Sequence, residues 1–235
     1  MSRVAPVVTI DGPAGVGKST VGRSVARVLH LPFVDTGIFY RALTAAASRA
    51  EIEAGDSLAL QELAAAVRLE VNSDPDPAPG AWQARADGQA LTEELWDSRL
   101  AALLADIARQ PGVRQSLLAA QRRPAAQGVV AVGRDTGTVV FPDADCKVYL
   151  DAPAEVRVAR RRKELLSRGR DASDEVLRAD VLTRDQTDLS RVHAPLAVPS
   201  DALSIDTSAL SAEEVVNLVL SECRRRGLSA GAEAP

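Results

Sequence analysis

The sequence predicts an α/β fold in which helices cover both faces of a parallel β-sheet, giving three layers. Short apolar runs alternate with amphipathic segments of helical period along most of the chain, as in successive β-α units. Several of these runs are apolar at every position, which is typical of parallel strands buried on both faces. With 235 residues, of which 46% are apolar, the chain is long enough for one such domain with an insertion.

A glycine-rich motif follows the first predicted strand, which spans 4–11. Residues 12–19, GPAGVGKS, match the pattern G-x-x-x-x-G-K-S, and a helix is predicted over about 20–29. After a strand and before a helix, this motif binds nucleoside triphosphate phosphates through backbone N–H groups and the helix N-terminus. Lys18 is expected to reach the β- and γ-phosphates, and the Ser19 hydroxyl to coordinate Mg²⁺, in a P-loop NTPase-type sheet. The residues assigned to the triphosphate are Gly12, Pro13, Ala14, Gly15, Val16, Gly17, Lys18, Ser19 and Thr20.

The second β-α unit places polar residues beside this loop. A strand is predicted over 31–35 and a helix over 38–50. Because consecutive β-α units form a parallel sheet, Asp35 and Thr36 are expected at a carboxyl strand end, where such sheets bind ligands. Asp35 is expected to hold a water ligand of Mg²⁺. Arg41, in the first turns of the helix, is expected either to bind a phosphate through its planar guanidinium or to lie in solvent.

A small inserted sheet is predicted after the next helix. Residues 56–66 have helical period, but the period then changes to strand-like alternation, and Asp87-Gly88 is typical of a hairpin turn. A small antiparallel sheet covering about 67–92 is therefore predicted between β-α units. Pattern alone assigns it no function.

A charged pair follows another buried strand. Helices are predicted over 99–108 and 112–126, and the apolar run 129–132 is expected to lie centrally in the sheet. This run leads into a loop that carries Arg134 and Asp135 between glycines, and binding groups are commonly placed on such loops. The pair is either part of a binding site or a structural salt bridge.

An arginine-rich helical region is predicted after the strand 147–151. One helix begins near Pro153 and a second spans 173–189, and their arginines are interleaved with acidic residues and lack aromatic residues for base stacking. Two such helices between neighbouring strands indicate a mobile lid that closes over phosphates. A strand over 202–206 and a helix over 211–226 complete the fold.

These elements are expected to form a single domain, residues 1–226. Its parts are a core at about 1–66, 93–152 and 195–226, the insertion at about 67–92, the lid at about 153–194, and a flexible tail at 227–235.

Composition narrows the partners and the compartment. A formal net charge of −4 is unfavourable for binding a phosphate backbone, so nucleic acid is not expected as a partner. Cys146 and Cys223 lack the paired spacing of metal ligands and are expected to be free thiols in a reducing compartment. The sequence lacks a signal-peptide pattern and an apolar run of membrane-spanning length. A cytoplasmic, monomeric protein without membrane association is expected.

The phosphoryl acceptor decides which reaction the chain catalyses. An alcohol acceptor requires a positioned base, for which Asp35 is the well-placed residue, and a water acceptor indicates a motor or switch domain. A phosphate acceptor is already ionised and needs no base, but the site must neutralise the charge shared by two anions. Arginines at the predicted strand ends and lid favour this third case. They are Arg41, Arg134, Arg157, Arg161, Arg184 and Arg191.

From about Val4 to Arg226, the chain resembles the bacterial cytidylate kinases, in the superfamily of P-loop nucleoside-monophosphate kinases. The motifs that carry the resemblance are Ile10-Asp11-Gly12-Pro13, Asp35-Thr36-Gly37 with Tyr40-Arg41, Pro111 with Val113-Arg114, the segment GRDTGTVVFPDA from Gly133 to Ala144, and Arg184-Asp185 with Asp188, Arg191 and Pro195-Leu196. The resemblance implies ATP-dependent phosphorylation of CMP and dCMP, with Mg²⁺ as the metal and the insertion as part of the monophosphate-binding region.

The resemblance also implies a role for each matching residue. In the CMP site, Thr36, Arg41 and Arg134 hold the phosphate, and Arg114 and Asp135 read cytosine. Arg184 and Asp188 hold the ribose hydroxyls, and Arg191 contacts phosphates in the closed state. Tyr40 is assigned to the same site. Arg157 and Arg161 correspond to lid arginines that bind ATP. The residues assigned to catalysis are Lys18, Arg134, Arg184 and Arg191.

Two positions bear on base selection. The Asp135 carboxylate can accept a hydrogen bond from the cytosine 4-amino group, whereas uracil presents an acceptor there, so this residue is expected to disfavour UMP. Where the family usually has a serine that contacts the base, this chain has Ala105. Because alanine cannot donate a hydrogen bond, we expect weaker CMP affinity or looser base selectivity.

Two other functions are compatible with parts of the sequence. A P-loop kinase that acts on a small alcohol, similar to a shikimate kinase, would use Asp35 as its base. A nucleotide-binding regulatory module would use the lid arginines to bind RNA, although the acidic net charge is unfavourable for this. The sequence does not distinguish a ribose from a deoxyribose substrate.

Overall fold

The β-strands of the computed structural model form two sheets. The structure describes residues 5–78, 81–167, 169, 172–191 and 194–228. In chain order the strands are β1 (Val7–Asp11), β2 (Phe33–Asp35), β3 (Leu69–Val71), β4 (Ala84–Ala86), β5 (Gln89–Leu91), β6 (Val129–Gly133), β7 (Cys146–Asp151) and β8 (Leu203–Asp206). The larger sheet has the order β2-β6-β1-β7-β8, and each neighbouring pair in it is parallel.

Helices connect the parallel strands. They are α1 (Lys18–Leu29), α2 (Gly37–Arg49), α3 (Ser57–Ala66), α4 (Ala101–Arg109), α5 (Pro111–Arg122), α6 (Ala154–Ser167), α7 (Asp174–Leu189) and α8 (Ala212–Arg225). α1 joins β1 to β2, α6 and α7 join β7 to β8, and α8 follows the last strand. The predicted α/β fold with a parallel sheet is confirmed.

The two faces of the large sheet bury separate apolar layers. Along β1, Val7 belongs to one core together with residues of α2 and α5, whereas Val8 and Ile10 belong to the other, together with residues of α1 and α8. Successive side chains of a strand point to opposite faces, so a strand that is apolar at nearly every position requires cover on both sides. This arrangement is the predicted three-layer structure.

The smaller sheet is the predicted antiparallel insertion. Its order is β3-β4-β5, and both pairs are antiparallel. Asp87 and Gly88 form the hairpin turn with φ of 49° and 80°, and positive φ at both positions is the geometry of a type I′ turn. Leu69, Ala84 and Leu91 belong to the core that also contains residues of α2. The insertion is therefore packed onto the helical layer beside β2.

The two helices of the predicted lid, α6 and α7, pack against each other and connect the neighbouring strands β7 and β8. Val158 of α6 forms a small buried cluster with Leu177 and Val181 of α7. The Ser173 hydroxyl caps α7 by accepting a hydrogen bond from the Val176 amide at 3.3 Å. This cluster is separate from the two apolar layers of the sheet, so α6 and α7 have a packing core of their own.

The helix ends follow local sequence signals, with small shifts from the predicted boundaries. Ser211 and Glu214 form a capping box at the start of α8, and Asp56 caps α3 by accepting from the Ala59 amide at 3.0 Å. α1 begins at Lys18, before the predicted start near residue 20. The reason is that the preceding glycine, with φ of 95°, turns the chain directly into the helix.

One segment differs in kind from the prediction. The stretch Thr136–Val140, whose first residues belong to the predicted loop after β6, forms a single π-helical turn. The Arg122 guanidinium donates to two carbonyls at the end of this turn, those of Val139 at 2.9 Å and Val140 at 2.7 Å. π-Helical turns are rare and occur frequently at functional sites.

Some predicted elements extend beyond the residues that the structure describes. These are Val4 of the first predicted strand, residues 79–80 of the insertion, residues 168, 170–171 and 192–193 of the lid, and residues 229–235 of the tail. Within the described ranges, we find no helix with the length and apolar character needed to cross a membrane.

Candidate active site

Glycines give the phosphate loop a backbone path that larger residues would block. A Cβ atom at Gly12 would lie 2.1 Å from the carbonyl oxygen of Leu150 in the neighbouring strand β7. Gly15 and Gly17 have φ of 82° and 95°, in the left-handed region that favours glycine. Backbone N–H groups of such a loop can converge on phosphate oxygens, as the sequence predicts.

The side chain of Lys18 lies inside this loop. It is 7% exposed, and its ammonium group donates to the carbonyl of Pro13 at 2.6 Å. Burial and then the neighbouring Arg134 lower the pKa of Lys18, whereas the carboxylates of Asp35 and Asp11 act in the opposite direction. A phosphate bound in the loop would favour the charged form of the lysine.

Ser19 and Asp35 place two oxygen donors next to the loop. The Ser19 hydroxyl donates to Oδ2 of Asp35 at 2.9 Å, and the other carboxylate oxygen accepts from the Gly37 amide at 3.0 Å. Mg²⁺ prefers hydroxyl, carboxylate and water oxygens, so this donor set fits the predicted metal. Thr20 is exposed on the same first turn of α1, whereas Val16 is buried and presents only its backbone to the loop.

Thr36 and Arg41 follow β2, as predicted, and both already have protein partners. The buried Thr36 hydroxyl donates to the carbonyl of Val132 at 3.0 Å, so it must rotate to donate to a phosphate. The Arg41 guanidinium donates to the Leu95 carbonyl at 3.0 Å and stacks 4.7 Å from the ring centroid of Trp96. Burial and then the nearby Arg184 lower the pKa of Arg41.

The two predicted base-reading residues contact each other. The Arg114 guanidinium donates to the Asp135 carboxylate, and the two side chains are only 9% and 8% exposed. Arg114 also donates to the carbonyl of Ala108 at 3.1 Å and lies 5.3 Å from the ring centroid of Tyr40. Burial raises the pKa of the Tyr40 hydroxyl. A buried ion pair is thus present beside an aromatic ring at the end of β6.

Asp188 of α7 brings two predicted phosphate-binding arginines together. Its carboxylate accepts from Nε of Arg134 at 2.7 Å and also from the Arg191 guanidinium. The Arg191 side chain is 11% exposed, and its Nε is buried without a hydrogen-bond partner among the described residues. Burial lowers the pKa of Arg191. An additional acceptor, such as a phosphate oxygen, would satisfy this donor.

Arg157 links the lid to the phosphate loop. Its guanidinium forms a two-pronged pair with Asp185, at 2.9 and 2.6 Å, and donates to the Ala14 carbonyl at 3.3 Å. Nε donates to the carbonyl of Ala152 at 2.9 Å. A planar guanidinium matches a carboxylate in this way and matches a phosphate equally well.

Arg161 of α6 and Arg184 of α7 lie at the same edge of the loop. Arg161 pairs with Glu164 at 2.8 Å, and Arg184 pairs with Asp180 at 3.0 Å. These two ion pairs line a small cavity together with Ala14 and Gly15 of the phosphate loop. Arg184 therefore lies beside the phosphate loop, and also near enough to Arg41 for its charge to lower the pKa of that residue, whereas the resemblance implies that it holds the ribose. The sequence-based role of Arg184 stays a prediction.

Asp11, the last residue of β1, is a site residue to which sequence reasoning assigned no role. It is completely buried and accepts three hydrogen bonds, from the Thr136 amide at 2.8 Å, the Thr136 hydroxyl at 2.6 Å and the Gly137 amide at 2.7 Å. Burial raises the pKa of Asp11, and these hydrogen bonds oppose that shift. One available signal was a carboxylate at the end of a mostly apolar strand, directly before the glycine loop.

Comparison with known proteins places this chain in a family. A sequence profile of cytidylate kinases matches residues 8–225. The chain belongs to the cytidylate kinase family. A cytidylate kinase from Methylococcus capsulatus (Bath) is 44% identical over 224 residues, covering 94% of this chain and 98% of the relative. Relatives of the same name from Pelotomaculum thermopropionicum and Rhodococcus jostii are each 38% identical, over 92% and 94% of this chain and over 95% and 97% of their own lengths.

Membership of the cytidylate kinase family confirms the resemblance that the sequence motifs indicated. The loops after β1, β2 and β6 and the lid bring most of the predicted site residues to one edge of the sheet. Ala105 is half-buried on α4, one turn before Ala108, whose carbonyl accepts from Arg114. Ala105 therefore lies close to the predicted base-reading pair.

Proposed function

We propose that this protein transfers the γ-phosphoryl group of ATP to CMP, and to dCMP, forming the corresponding diphosphates. The observation that carries the proposal is the adjacency of two dissimilar sites. Asp11 before the phosphate loop pairs in register with Gly133 before Arg134 and Asp135, because β1 and β6 are neighbouring strands. A triphosphate in the loop and a monophosphate on the arginines would thus lie side by side.

Positioning and charge neutralisation provide the catalysis in this proposal. The phosphate oxygen of CMP attacks the γ-phosphorus of ATP, the bond to the bridging oxygen breaks, and ADP leaves. The attacking oxygen is already ionised, so a general base is not required. Lys18 stabilises the charge on the donor, and Arg134, Arg184 and Arg191 stabilise the charge that develops between donor and acceptor.

In the structure, carboxylates bind the arginines that phosphates would bind in the nucleotide complex. Arg134 and Arg191 share Asp188, and Arg157 is held by Asp185. Phosphates bind arginine with the same two-pronged geometry as carboxylates, and with more charge. Nucleotide binding therefore replaces the carboxylate acceptors of these arginines by phosphate oxygens. Arg157 and Arg191 turn from Asp185 and Asp188 toward the phosphates. Closure of the lid also excludes water, which limits hydrolysis of ATP.

Mg²⁺ is the metal that the site residues would hold. Ser19 would coordinate it directly and Asp35 through a water molecule, which agrees with the hydrogen bond that joins the two side chains. When bound, Mg²⁺ neutralises charge on the β- and γ-phosphates. Asp35 would then be engaged at the metal, which would disfavour its use as a base for an alcohol acceptor.

A coupled assay of ADP release tests the proposed function. The protein is supplied with Mg·ATP and, in separate reactions, with CMP, dCMP, UMP, AMP or shikimate. We expect fast turnover with CMP and dCMP and little with UMP or AMP. Comparable turnover with UMP would mean that Ala105 has relaxed base selection. Turnover with shikimate alone would overturn the proposal and make Asp35 the base to examine.

A further inference from the structure

The Asp11 carboxylate connects two parts of the site that are far apart in the chain. It belongs to β1 and directly precedes Gly12, the first glycine of the phosphate loop. Its oxygens accept the amides of Thr136 and Gly137 and the Thr136 hydroxyl, which begin the π-helical turn after β6. A single buried side chain thus ties the start of the phosphate loop to the segment that carries Asp135.

The approach between these two segments is too close to accommodate additional atoms. A Cβ at Gly137 would lie 2.8 Å from Oγ1 of Thr9 and 3.2 Å from Oδ2 of Asp11. Three donors surround a carboxylate that is completely buried. Because all three hydrogen bonds converge on one buried side chain, the contact is directional, and losing any of them leaves a buried polar group without a partner.

We propose that Asp11 is a positioning residue that sets base selection, by holding Asp135 and Arg134 at a fixed place relative to the phosphate loop. The inference rests on the proposed function for its substrate, CMP, and extends that function to a residue that touches neither nucleotide. Asp135 is the residue after Arg134 and immediately precedes the two residues that Asp11 binds. A change in these bonds is therefore transmitted through one or two peptide units to the base-reading carboxylate.

Replacing the carboxylate by an amide perturbs the contact with little change in volume. In Asp11→Asn, one oxygen acceptor becomes an NH₂ donor and faces a donor of the π-helical turn. The turn must shift or leave a buried N–H without a partner, which costs more than a lost exposed hydrogen bond. The Asp135 carboxylate moves with the turn, so contacts specific to cytosine weaken more than contacts common to all nucleotides.

The matched control is Asp145→Asn. Asp145 Oδ2 accepts the Val7 amide at 2.8 Å, so this carboxylate anchors the opposite end of the same strand β1. The measurement is the ratio of kcat/KM for CMP to kcat/KM for UMP. We expect this ratio to fall roughly fivefold in Asp11→Asn, the effect of about one hydrogen bond, and to stay at the wild-type value in Asp145→Asn. General destabilisation would lower both kcat/KM values without changing their ratio.

Thr136 provides a second test that leaves the carboxylate in place. Thr136→Val removes the hydroxyl donor to Asp11 and keeps the shape of the side chain, whereas Thr136→Ser keeps the donor. We expect the CMP-to-UMP ratio to fall in Thr136→Val and to be restored in Thr136→Ser. These variants decide the inference if Asp11→Asn does not fold.

Hydrogen exchange of the Thr136 and Gly137 amides separates failure of this inference from failure of the proposed function. We expect faster exchange at both amides in Asp11→Asn than in Asp145→Asn, whichever substrate the enzyme uses. A wild-type protein that does not phosphorylate CMP would refute the proposed function and, with it, the base-selection role. If Asp11→Asn and Thr136→Val both discriminate against UMP as strongly as the wild type does, the inference is overturned and the proposed function stands.

Discussion

At the scale of single residues, the site consists of charges whose partners are other site residues. Asp135 and Arg114 are paired in a nearly dry environment, so neither acts as an isolated group. Removing one member of a buried ion pair leaves the other uncompensated, which costs stability as well as function. Experiments on these residues must therefore compare two substrates, because a ratio cancels effects on folding.

The first residue-level prediction concerns Asp135→Asn. The amide presents an NH₂ group that can donate to the uracil carbonyl, so the CMP-over-UMP preference should narrow by roughly tenfold or more, the usual value of a base-specific contact. Steady-state kinetics with both nucleotides measures this. Asp201→Asn is the control, because Asp201 also pairs with a cation, Lys147 at 3.0 Å, but near the amino end of β8. An unchanged preference in Asp135→Asn would contradict the assignment of Asp135 to the base.

The second residue-level prediction concerns Ala105→Ser. Restoring a hydroxyl at this half-buried position of α4 should lower the KM for CMP roughly threefold to tenfold, since one net hydrogen bond contributes about 0.5–1.5 kcal/mol. Ala102→Ser, at an exposed position of the same helix, is the control and should leave KM unchanged. Equal effects of the two substitutions would show that the change acts through the helix and not through the base.

At the scale of elements, α8 shows how a buried charge fixes a helix end. Glu222 is 7% exposed and accepts hydrogen bonds from Arg225 at 2.7 and 2.6 Å and from Arg226 at 2.6 Å. Arg226 also donates to the Asp201 carbonyl, before β8. The helix that covers one face of the sheet is thereby joined to the strand that precedes it.

This network predicts a pH-dependent contribution to stability. Hydrogen bonds from Arg225 and Arg226 lower the pKa of Glu222 from 4.5 to about 2. Glu222→Gln should lower the free energy of unfolding at pH 7 by about 2 kcal/mol and the Tm by roughly 4–8 °C. Because the folded-state pKa is lowered, the wild-type advantage is complete above about pH 4.5 and is lost as pH falls toward 2.

Thermal unfolding of both proteins between pH 7 and pH 2.5 checks this expectation. Glu62→Gln, an exposed position in the middle of α3, serves as the control and should change the Tm little at any pH. A constant difference between wild type and Glu222→Gln across this range would mean that the carboxylate is not ionised preferentially in the folded state.

At the scale of the whole molecule, the order of strands brings the parts of the site together. β1, β2, β6 and β7 end at the same edge of the sheet because they are parallel, and the phosphate loop, Asp35, the Arg134-Asp135 pair and the lid follow them in turn. A protein with a net charge of −4 thus gathers arginines from distant segments in one cleft. Such a cleft attracts nucleotides although the molecule as a whole is acidic.

The two nucleotide sites should respond differently to removal of metal. The residues predicted to hold Mg²⁺ lie at the phosphate loop, whereas the predicted CMP site is built from arginines and Asp135. We expect CMP to raise the Tm equally with and without EDTA, and ATP to raise it strongly only with Mg²⁺. A ligand at about 100 times its Kd stabilises a protein by about 2.7 kcal/mol, which thermal unfolding detects readily. Equal stabilisation by ATP in EDTA would contradict the metal site at Ser19 and Asp35.

The sequence by itself determined the fold class and the location of the chemistry. Strands that are apolar at consecutive positions require a sheet covered on both faces, and glycines before Lys18 and Ser19 have few uses other than phosphate binding. The hairpin turn at Asp87-Gly88 and the caps of α3 and α8 were also predictable. All of these depend on residues that are close together in the chain.

Only the tertiary structure decided which charged groups are partners. The pairs Arg114–Asp135, Arg134–Asp188 and Arg157–Asp185 join residues between 21 and 54 positions apart, and sequence offers several carboxylates for each arginine. The role of Asp11 is hidden for the same reason, because its donors lie 125 and 126 residues away. Local pattern cannot specify such contacts, since they arise only when parallel strands align β1 with β6.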